Sequence, residues 1–329
     1  MMGFLLAIQG AVSQGVLWGI MTLGVYLTFR ILDIADLTVD GSFATGGALS
    51  AILIVNGTHP LISLLCSFIA GAVCGLVTGL MNTKLKIHIL LASILTQIAL
   101  YSVNIRIMGR SNIPLLGVRT IMTGIHEKFA LSITASSLVV GALFVVVLVV
   151  ALYLFFGTEI GCSLRATGNN EYMVRALGVN TNTMKVAGLA LGNGLVALSG
   201  GLVAQSQGYA DVQMGTGTIV IGLASIIIGE VIFGKHFGFW YTLISVILGS
   251  ILYRIVIALV LQMGLRSTDL KLLTALVVAI ALAVPVFKGK LFRRRHSLPA
   301  RLEESTRHSN VIKKHAVPNT ETLGENKNC

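Results

Sequence analysis

Apolar residues in this chain fall in long runs separated by short polar punctuation. Runs of spanning length lie at about 11–31, 41–56, 61–82, 88–105, 131–156, 186–206, 216–234, 238–260 and 270–287. A helix needs about 20 mostly apolar residues to cross the hydrocarbon of a bilayer. The pattern therefore predicts an all-α polytopic membrane protein with about nine transmembrane helices, within a range of eight to ten. The second run is short and rich in glycine, so a broken or partly re-entrant helix is expected there. Composition agrees: 55% of residues are hydrophobic and 11% charged, against roughly 25% charged in soluble domains.

One stretch departs from this pattern. Thr158 to Gly188 is a polar island carrying Glu159, Arg165, Glu171, Arg175 and Lys185. Each charge would cost roughly 2.5–3.5 kcal/mol at the centre of a bilayer, which places the island outside it. Its local pattern predicts short docked helices. Asn169 is positioned to cap a helix with Glu171 in its first turn. Glu171 and Arg175 have the favourable i,i+4 order, and Met173, Ala176 and Leu177 share a face. Gly178 supplies a stop, and Thr181 restarts a helix leading into the next apolar run. Such a segment is either an ordinary connection or a docking helix for a soluble partner.

Charge fixes a candidate orientation. With the island cytoplasmic, 32–40, 83–87, 235–237 and the C-terminal segment also lie inside. The N-terminus, 57–60, 106–130, 207–215 and 261–269 then lie outside. Lys and Arg divide 17 inside to 6 outside, with Arg254 within a span, as the positive-inside rule requires. The four positives of 106–130 sit awkwardly in that scheme. Much of the net charge of +11 belongs to residues 288–329, with ten Lys or Arg and four Asp or Glu. A permease-like domain of residues 1–287 followed by a basic, disordered cytoplasmic tail is the expected division. That tail suits anionic lipid headgroups better than nucleic acid. The N-terminus has no basic region and no convincing cleavage site for a signal peptide.

A faint internal repeat accompanies this topology. Ala35-Asp36-Leu37-Thr38 precedes a Gly-rich run from Gly41, and Ala210-Asp211-Val212-Gln213 precedes a similar run from Gly215. One lies inside and the other outside, which would make spans 1–4 and 6–9 inverted repeats with a transport site at their interface.

Candidate chemistry is sparse. Asp33, Asp36 and Asp40 would share a helix face, either lining a pathway or sitting in an aqueous loop. Glu230 either snorkels to the boundary or pairs with another span. Arg254 needs an acid or backbone carbonyls within the bundle. Gln97, Asn104, Asn193, Gln205 and Gln207 suit interhelical hydrogen bonding better than substrate binding. Glycines at four-residue spacing, such as Gly71, Gly75 and Gly79, or Gly188 and Gly192, suit close helix packing, including a dimer seam. Cys66, Cys74, Cys162 and Cys329 show no metal-ligand spacing, so neither a metal nor a cofactor is expected on this chain. Gly229 to His236 nearly matches a phosphate-binding loop, but His236 stands where a hydroxyl is needed and no strand precedes it.

The run from Gly161 to Leu202 resembles the cytoplasmic coupling loop and following helix of ATP-binding-cassette importer permeases of the branched-chain amino acid/ribose type. Gly161, Arg165, Ala166, Gly168, Asn169, Glu171, Arg175, Ala176, Gly178 and Val179 occupy that loop. Tyr172, Met173 and Val174 stand where the family has small residues. The resemblance spans about residues 10–287 and implies a fold related to the vitamin B12-type importers. It implies cytoplasmic ATPase subunits docked on 158–188, an extracytoplasmic substrate-binding protein, a permease dimer and a bacterial inner-membrane location. It also implies alternating access without covalent chemistry on this chain. The stretch DLTVDGS resembles the family's second helix, which makes Asp36, Asp40, Gly41 and Ser42 pathway candidates, with Asp211 and Gln213 at the repeat-related position. An amino acid is the expected cargo and a sugar or nucleoside the alternative. An ion- or proton-coupled secondary transporter is the rival class, and an intramembrane enzyme a second.

Overall fold

The computed structural model describes residues 2–234 and 238–262, together with 272, 274–276, 278 and 279. The last predicted span, 270–287, and the segment 288–329 fall largely or wholly outside the described residues, so the predicted count of nine and the tail are not addressed by it.

Within the described residues the chain is a helical bundle. The helices are α1 (Met2–Tyr26), continued by a π-helical turn (Leu27–Ile31), α2 (Thr38–Val55), α3 (Pro60–Thr83), α4 (Ile89–Met108), α5 (Ile121–Phe129) and α6 (Ile133–Phe156). They continue with α7 (Glu159–Asn169), α8 (Glu171–Ala176), α9 (Thr181–Gln207), α10 (Thr218–Phe233) and α11 (Phe239–Gln262). Seven of these segments are long and apolar enough to cross a membrane, and α10 is a shorter apolar helix. The chain is thus a multi-pass membrane protein, and the first eight predicted runs each coincide with one helix.

Helix α9 is the hub. At 27 residues it is about 40 Å long, with α7 and α8 at its start and a small antiparallel ribbon at its end. The ribbon pairs β1 (Asn112–Pro114) with β2 (Tyr209–Asp211). Helices α1, α2 and α3 pack along α9, and the contacts are made by residues without bulk. A Cβ on Gly71 or Gly75 would run into the backbone of Asn193 or Leu189, and one on Gly46 into the carbonyl of Ala197. Gly192 faces Thr28 and Gly24, and Gly188 faces Leu32. In hydrocarbon, association rests on such close backbone approach and not on hydrophobic exclusion. The glycine series anticipated as a possible dimer seam is therefore occupied inside one chain.

The second run is not broken. Its irregularity lies just before it, where Leu32 to Leu37 leaves the helix. The π turn ends with Leu32 N–H donating to Leu27 O at 3.1 Å and Ile34 N–H to Thr28 O at 2.9 Å. Asp33 takes a left-handed conformation, φ 56°. This break removes the shared helix face expected of Asp33, Asp36 and Asp40. Asp33 is exposed, Asp36 is buried and Asp40 lies in the first turn of α2.

Several packing relations recur between the two halves. Helix α3 packs on α9 as α11 packs on α1, and α2 packs on α3 as α10 packs on α11. Ser67 donates to the Gly46 carbonyl of α2 at 2.9 Å, and Ser245 to the Gly229 carbonyl of α10 at 2.8 Å. Asp36 accepts from Thr38 N–H and Asp211 from Gln213 N–H, at 2.9 and 2.7 Å, so both Ala-Asp dipeptides form Asx turns.

Strand β1 and α5 lie in the stretch 106–130 and β2 in 207–215, both read from the sequence as external. Thr120 and Thr123 form a reciprocal capping box at the start of α5, Arg119 pairs with Glu127 at 2.9 Å, and Met122 is buried. Gly46→Ala is expected to destabilise the bundle by about 1–3 kcal/mol, because the Ala197 backbone cannot yield as a side chain would. Gly10→Ala, where a Cβ meets nothing within 4 Å, should be neutral. Thermal melts of the two variants in detergent compare them directly.

Candidate functional site

Two regions concentrate the polar groups of this apolar chain. The first is the island, and it begins with Thr158. The Thr158 hydroxyl accepts the Gly161 N–H at 3.3 Å and starts α7, which runs to Asn169. Asn170, in extended conformation, ends α7 and caps α8 by accepting the Met173 N–H at 3.1 Å. The cap is therefore one residue later than expected, because α7 itself consumes Asn169. Gly178 is left-handed at φ 86°, and Asn180 caps α9 by accepting from Asn182 and Thr183 N–H.

Helix α7 is inlaid into the bundle. Leu164 is fully buried, Gly161 abuts Phe155 and Phe156, and Gly168 abuts the Ile31 carbonyl and Leu32. The Arg165 guanidinium lies over the Phe239 ring, 4.9 Å from its centroid, a cation–π contact to the start of α11. Beside it a cavity of about 860 Å³ opens between α7, the π turn, Asp33 and Thr242. Arg30 closes the neighbouring surface with a two-point ion pair to Glu230, at 2.9 and 3.1 Å. Glu230 thus pairs with another helix.

Helix α8 stands on a charged hinge. Glu171 accepts from Arg175 at 2.8 Å, from Lys185 at 2.6 Å and from the Thr181 hydroxyl at 3.1 Å. Lys185, through its hydrogen bond above all, holds the Glu171 carboxyl below its ordinary pKa, with Thr181 and Arg175 assisting. Val174 is buried, while Tyr172, Met173 and Leu177 are exposed, Tyr172 at 85%. The hinge thus holds α8 with an apolar edge turned outward. Ala176 and Val179 lie beside that edge, exposed and half-buried respectively.

The second region lies level with the middle of α9. Asn193 donates to the Asp36 carboxylate at 2.6 Å and accepts from the Ser42 hydroxyl at 2.7 Å. Asp36 is 1% exposed, unlike Asp33, which is exposed in the same inter-helix segment. Two residues from Ser42, Asp40 accepts from Gly217 N–H at 2.9 Å, Thr218 hydroxyl at 2.8 Å and Ile219 N–H at 3.0 Å. Asp40 thereby caps α10 across the molecule. The structure gathers four of the six pathway candidates, Asp36, Asp40, Gly41 and Ser42. Asp211 and Gln213 belong instead to the ribbon, where Asn112 donates to Asp211 at 3.4 Å.

Other expectations meet mixed outcomes. Gln205 bridges helices, reaching Ser50 at 3.1 Å and Ser63 at 3.3 Å. Arg254 meets no acid among the described residues. Its guanidinium sits 3.9 Å from the centroid of Trp18, with a 3.4 Å bond to Gln14, since an aromatic face is a cheaper partner in an apolar bundle than a buried carboxylate. The role of Asn193 in joining Asp36 to Ser42 was not legible from spacing alone.

Comparison with known proteins bears on this arrangement. Residues 7–283 match the family described as branched-chain amino acid transport system / permease component. The chain belongs to this family. It is similar to a tyrosine transport system permease protein of Clostridioides difficile (strain R20291), 41% identical over 276 residues, covering 84% of this chain and 90% of that one. It is also similar to an uncharacterised protein of Rickettsia prowazekii (strain Madrid E), 34% identical over 278 residues, covering 83% and 95%. No solved structure matches. The chain is accordingly the membrane permease subunit of an ATP-binding-cassette importer of amino-acid type, and not an enzyme; the secondary-transporter and sugar or nucleoside alternatives are not favoured.

The Glu171 hinge has a defined pH sign. A lowered carboxyl pKa stabilises the folded hinge above the ordinary Glu range, and that contribution is lost as pH falls through the lowered value. Glu171→Gln should raise amide exchange of residues 170–177 severalfold at neutral pH, after correction for intrinsic rates, and flatten its acid dependence. Identical exchange in variant and wild type at neutral pH would remove the hinge from this account.

Proposed function

We propose that this permease is half of a dimeric translocation unit that imports an aromatic amino acid, tyrosine foremost. Cytoplasmic ATPase subunits would dock on residues 158–188, and an extracytoplasmic binding protein would deliver cargo to the opposite, ribbon-bearing end. The cargo assignment is supported by the similarity to the tyrosine system permease. The docking assignment is supported by the outward Tyr172, Met173 and Leu177 edge of α8 and by the rigid setting of α7.

The single observation that carries the mechanism is the seating of Gly168 against Ile31 and Leu32. Ile31 ends the π turn and Leu32 begins the non-helical segment that runs to Leu37. A push on α7 from a closing ATPase would therefore fall on the start of the segment that holds α2 in register with α9. Leu164 and Leu32, beside that contact, are both buried. Alternating access would follow from small displacements of α2 and α10 about Asp40.

The remaining parts of the proposal follow the sequence. Nine spans, with 270–287 the last, would form inverted repeats of spans 1–4 and 6–9; the recurrent packing and the paired Asx turns support it. Positive-inside bias supports a cytoplasmic island, in a bacterial inner membrane. Residues 288–329 would lie on the same face as a basic tail against anionic lipid.

Reconstitution in proteoliposomes with the partner ATPase and binding protein tests the scheme. Tyrosine uptake should require ATP, and Arg165→Ala or Gly178→Val should lower tyrosine imported per ATP hydrolysed at least tenfold while the protein still inserts. Uptake by this chain alone on a proton or sodium gradient would overturn the proposal. Unchanged stoichiometry in both variants would overturn the docking assignment.

A further inference from the structure

A cavity of about 250 Å³ lies on the ribbon side of Asp40, bounded by α2, α4 and the turn that precedes α10. Sites for drug-sized ligands run to about 300–1,000 Å³, so this one is matched to something smaller. Its walls are unusual for the bundle. Asp40, Gln97, Tyr101, Asn104 and Thr216 present polar groups to it, and Ile98 and Val212 contribute apolar surface.

Asn104 is the informative residue. It is 1% exposed, and neither its Nδ2 nor its Oδ1 has a hydrogen-bond partner among the described residues. A side-chain amide shut away from water without partners is strongly disfavoured. The other buried amides of the bundle behave differently, for Asn193 and Gln205 bond to at least two groups each. Asn104, one of the residues that line the chamber, thus keeps both a donor and an acceptor unused beside it.

Asp40 is complementary to it. Its Oδ1 accepts two hydrogen bonds, from the Thr218 hydroxyl and Ile219 N–H, whereas its Oδ2 accepts one, from Gly217 N–H. A carboxylate oxygen has room for two. One acceptor direction on Oδ2 therefore remains for a cationic group arriving through the cavity.

We infer that this chamber is a transient binding site for a zwitterionic amino acid in transit, with Asp40 receiving its ammonium group and the Asn104 amide its carboxylate. Gln97 and Thr216 add polar contacts at the rim, and Tyr101 and Ile98 offer the surface against which an aromatic side chain rests. The inference rests on the proposed import function and adds to it a place where the permease itself touches its cargo. The separate binding protein would capture the amino acid, and the chamber would hold it between delivery and release. Loss of the chamber should consequently appear as wasted hydrolysis.

The experiment is uptake of L-tyrosine and ATP hydrolysis measured together in proteoliposomes holding the full assembly. Asn104→Leu, branched at the same carbon but without hydrogen-bonding groups, should lower tyrosine imported per ATP hydrolysed at least tenfold. Gln97→Leu at the rim should lower it about threefold, and Asn104→Asp should depress it further than Gln97→Leu by repelling the carboxylate. Wild-type stoichiometry in both leucine variants would overturn the site. Should Asn104→Leu melt early or fail to insert, Gln97→Leu and Thr216→Val decide the matter by the same ratio. Absence of any ATP-dependent amino-acid uptake by the unaltered protein would overturn the import function itself and this site with it, a failure seen before any variant is compared.

Discussion

Two carboxylates hold together what would otherwise be the weakest part of this bundle. The chain abandons helical geometry twice beside α9, at Leu32–Leu37 and again before Thr218, and both breaks lead into short helices. Backbone groups freed by such breaks are tolerated at membrane depth only where protein or a water-filled cavity satisfies them. Asp36 answers the first by accepting Thr38 N–H while bonded to Asn193. Asp40 answers the second by accepting Gly217 and Ile219 N–H at the start of α10. Each acid lies at the positive end of a helix, where a negative charge is stabilised. The two helix starts meet level with the middle of α9, one pointing toward the ribbon and the other toward α7.

The rest of the packing accommodates that meeting. Helix α9 must be thin where α1, α2 and α3 cross it, and it carries Gly188, Gly192, Gly194, Gly200 and Gly201. Substituents there would strike carbonyl oxygens or closely packed side chains of the neighbouring helices. Helices α3, α4 and α6 instead present bulky residues such as Leu65, Leu91 and Leu143 on their outer faces, as surfaces that meet lipid do. At the α9 crossings small residues thus make the contacts while bulky ones cover the outer faces, because hydrocarbon offers no hydrophobic penalty to drive the opposite arrangement.

Hydrophobic periodicity made the first eight helices and the island legible, because length and charge each leave a signal that no neighbour can reverse. The Glu171–Arg175 pair was legible for the same reason, being a local i,i+4 relation. What lay beyond the sequence was set by distant partners. The connection after residue 31 was legible as polar punctuation, but the burial of Asp36 within it depends on Asn193, a distant partner. Asn170 takes the cap expected of Asn169, an ambiguity of adjacent asparagines that only the length of α7 resolves. Helix α5 left a faint signal in Thr120 and Thr123, too short to outweigh the surrounding charges. Asp211 had the same dipeptide as Asp36, yet its partner is Asn112 of the ribbon and not an asparagine of α9, so identical local turns came to different surroundings.

The two polar regions are mechanically one system. Gly168 of α7 bears on Ile31 and Leu32, and only three residues separate Leu32 from the anchored Asp36. Between them Asp33 is left-handed and Ile34 N–H donates to Thr28 O at 2.9 Å, so the segment is pinned to the π turn at one end and to Asn193 at the other. Ser42 on α2 and Asp36 on the non-helical segment share Asn193, so α2 cannot shift along α9 without disturbing both bonds. Asp40 then ties α2 to α10, whose far end carries Glu230 and returns through Arg30 to the π turn. The contacts close a loop from α7 through α2 and α10 back to the surface beside α7. A closed loop of stiff elements has few ways to move, and the proposed power stroke would have to be shared by both short helices at once.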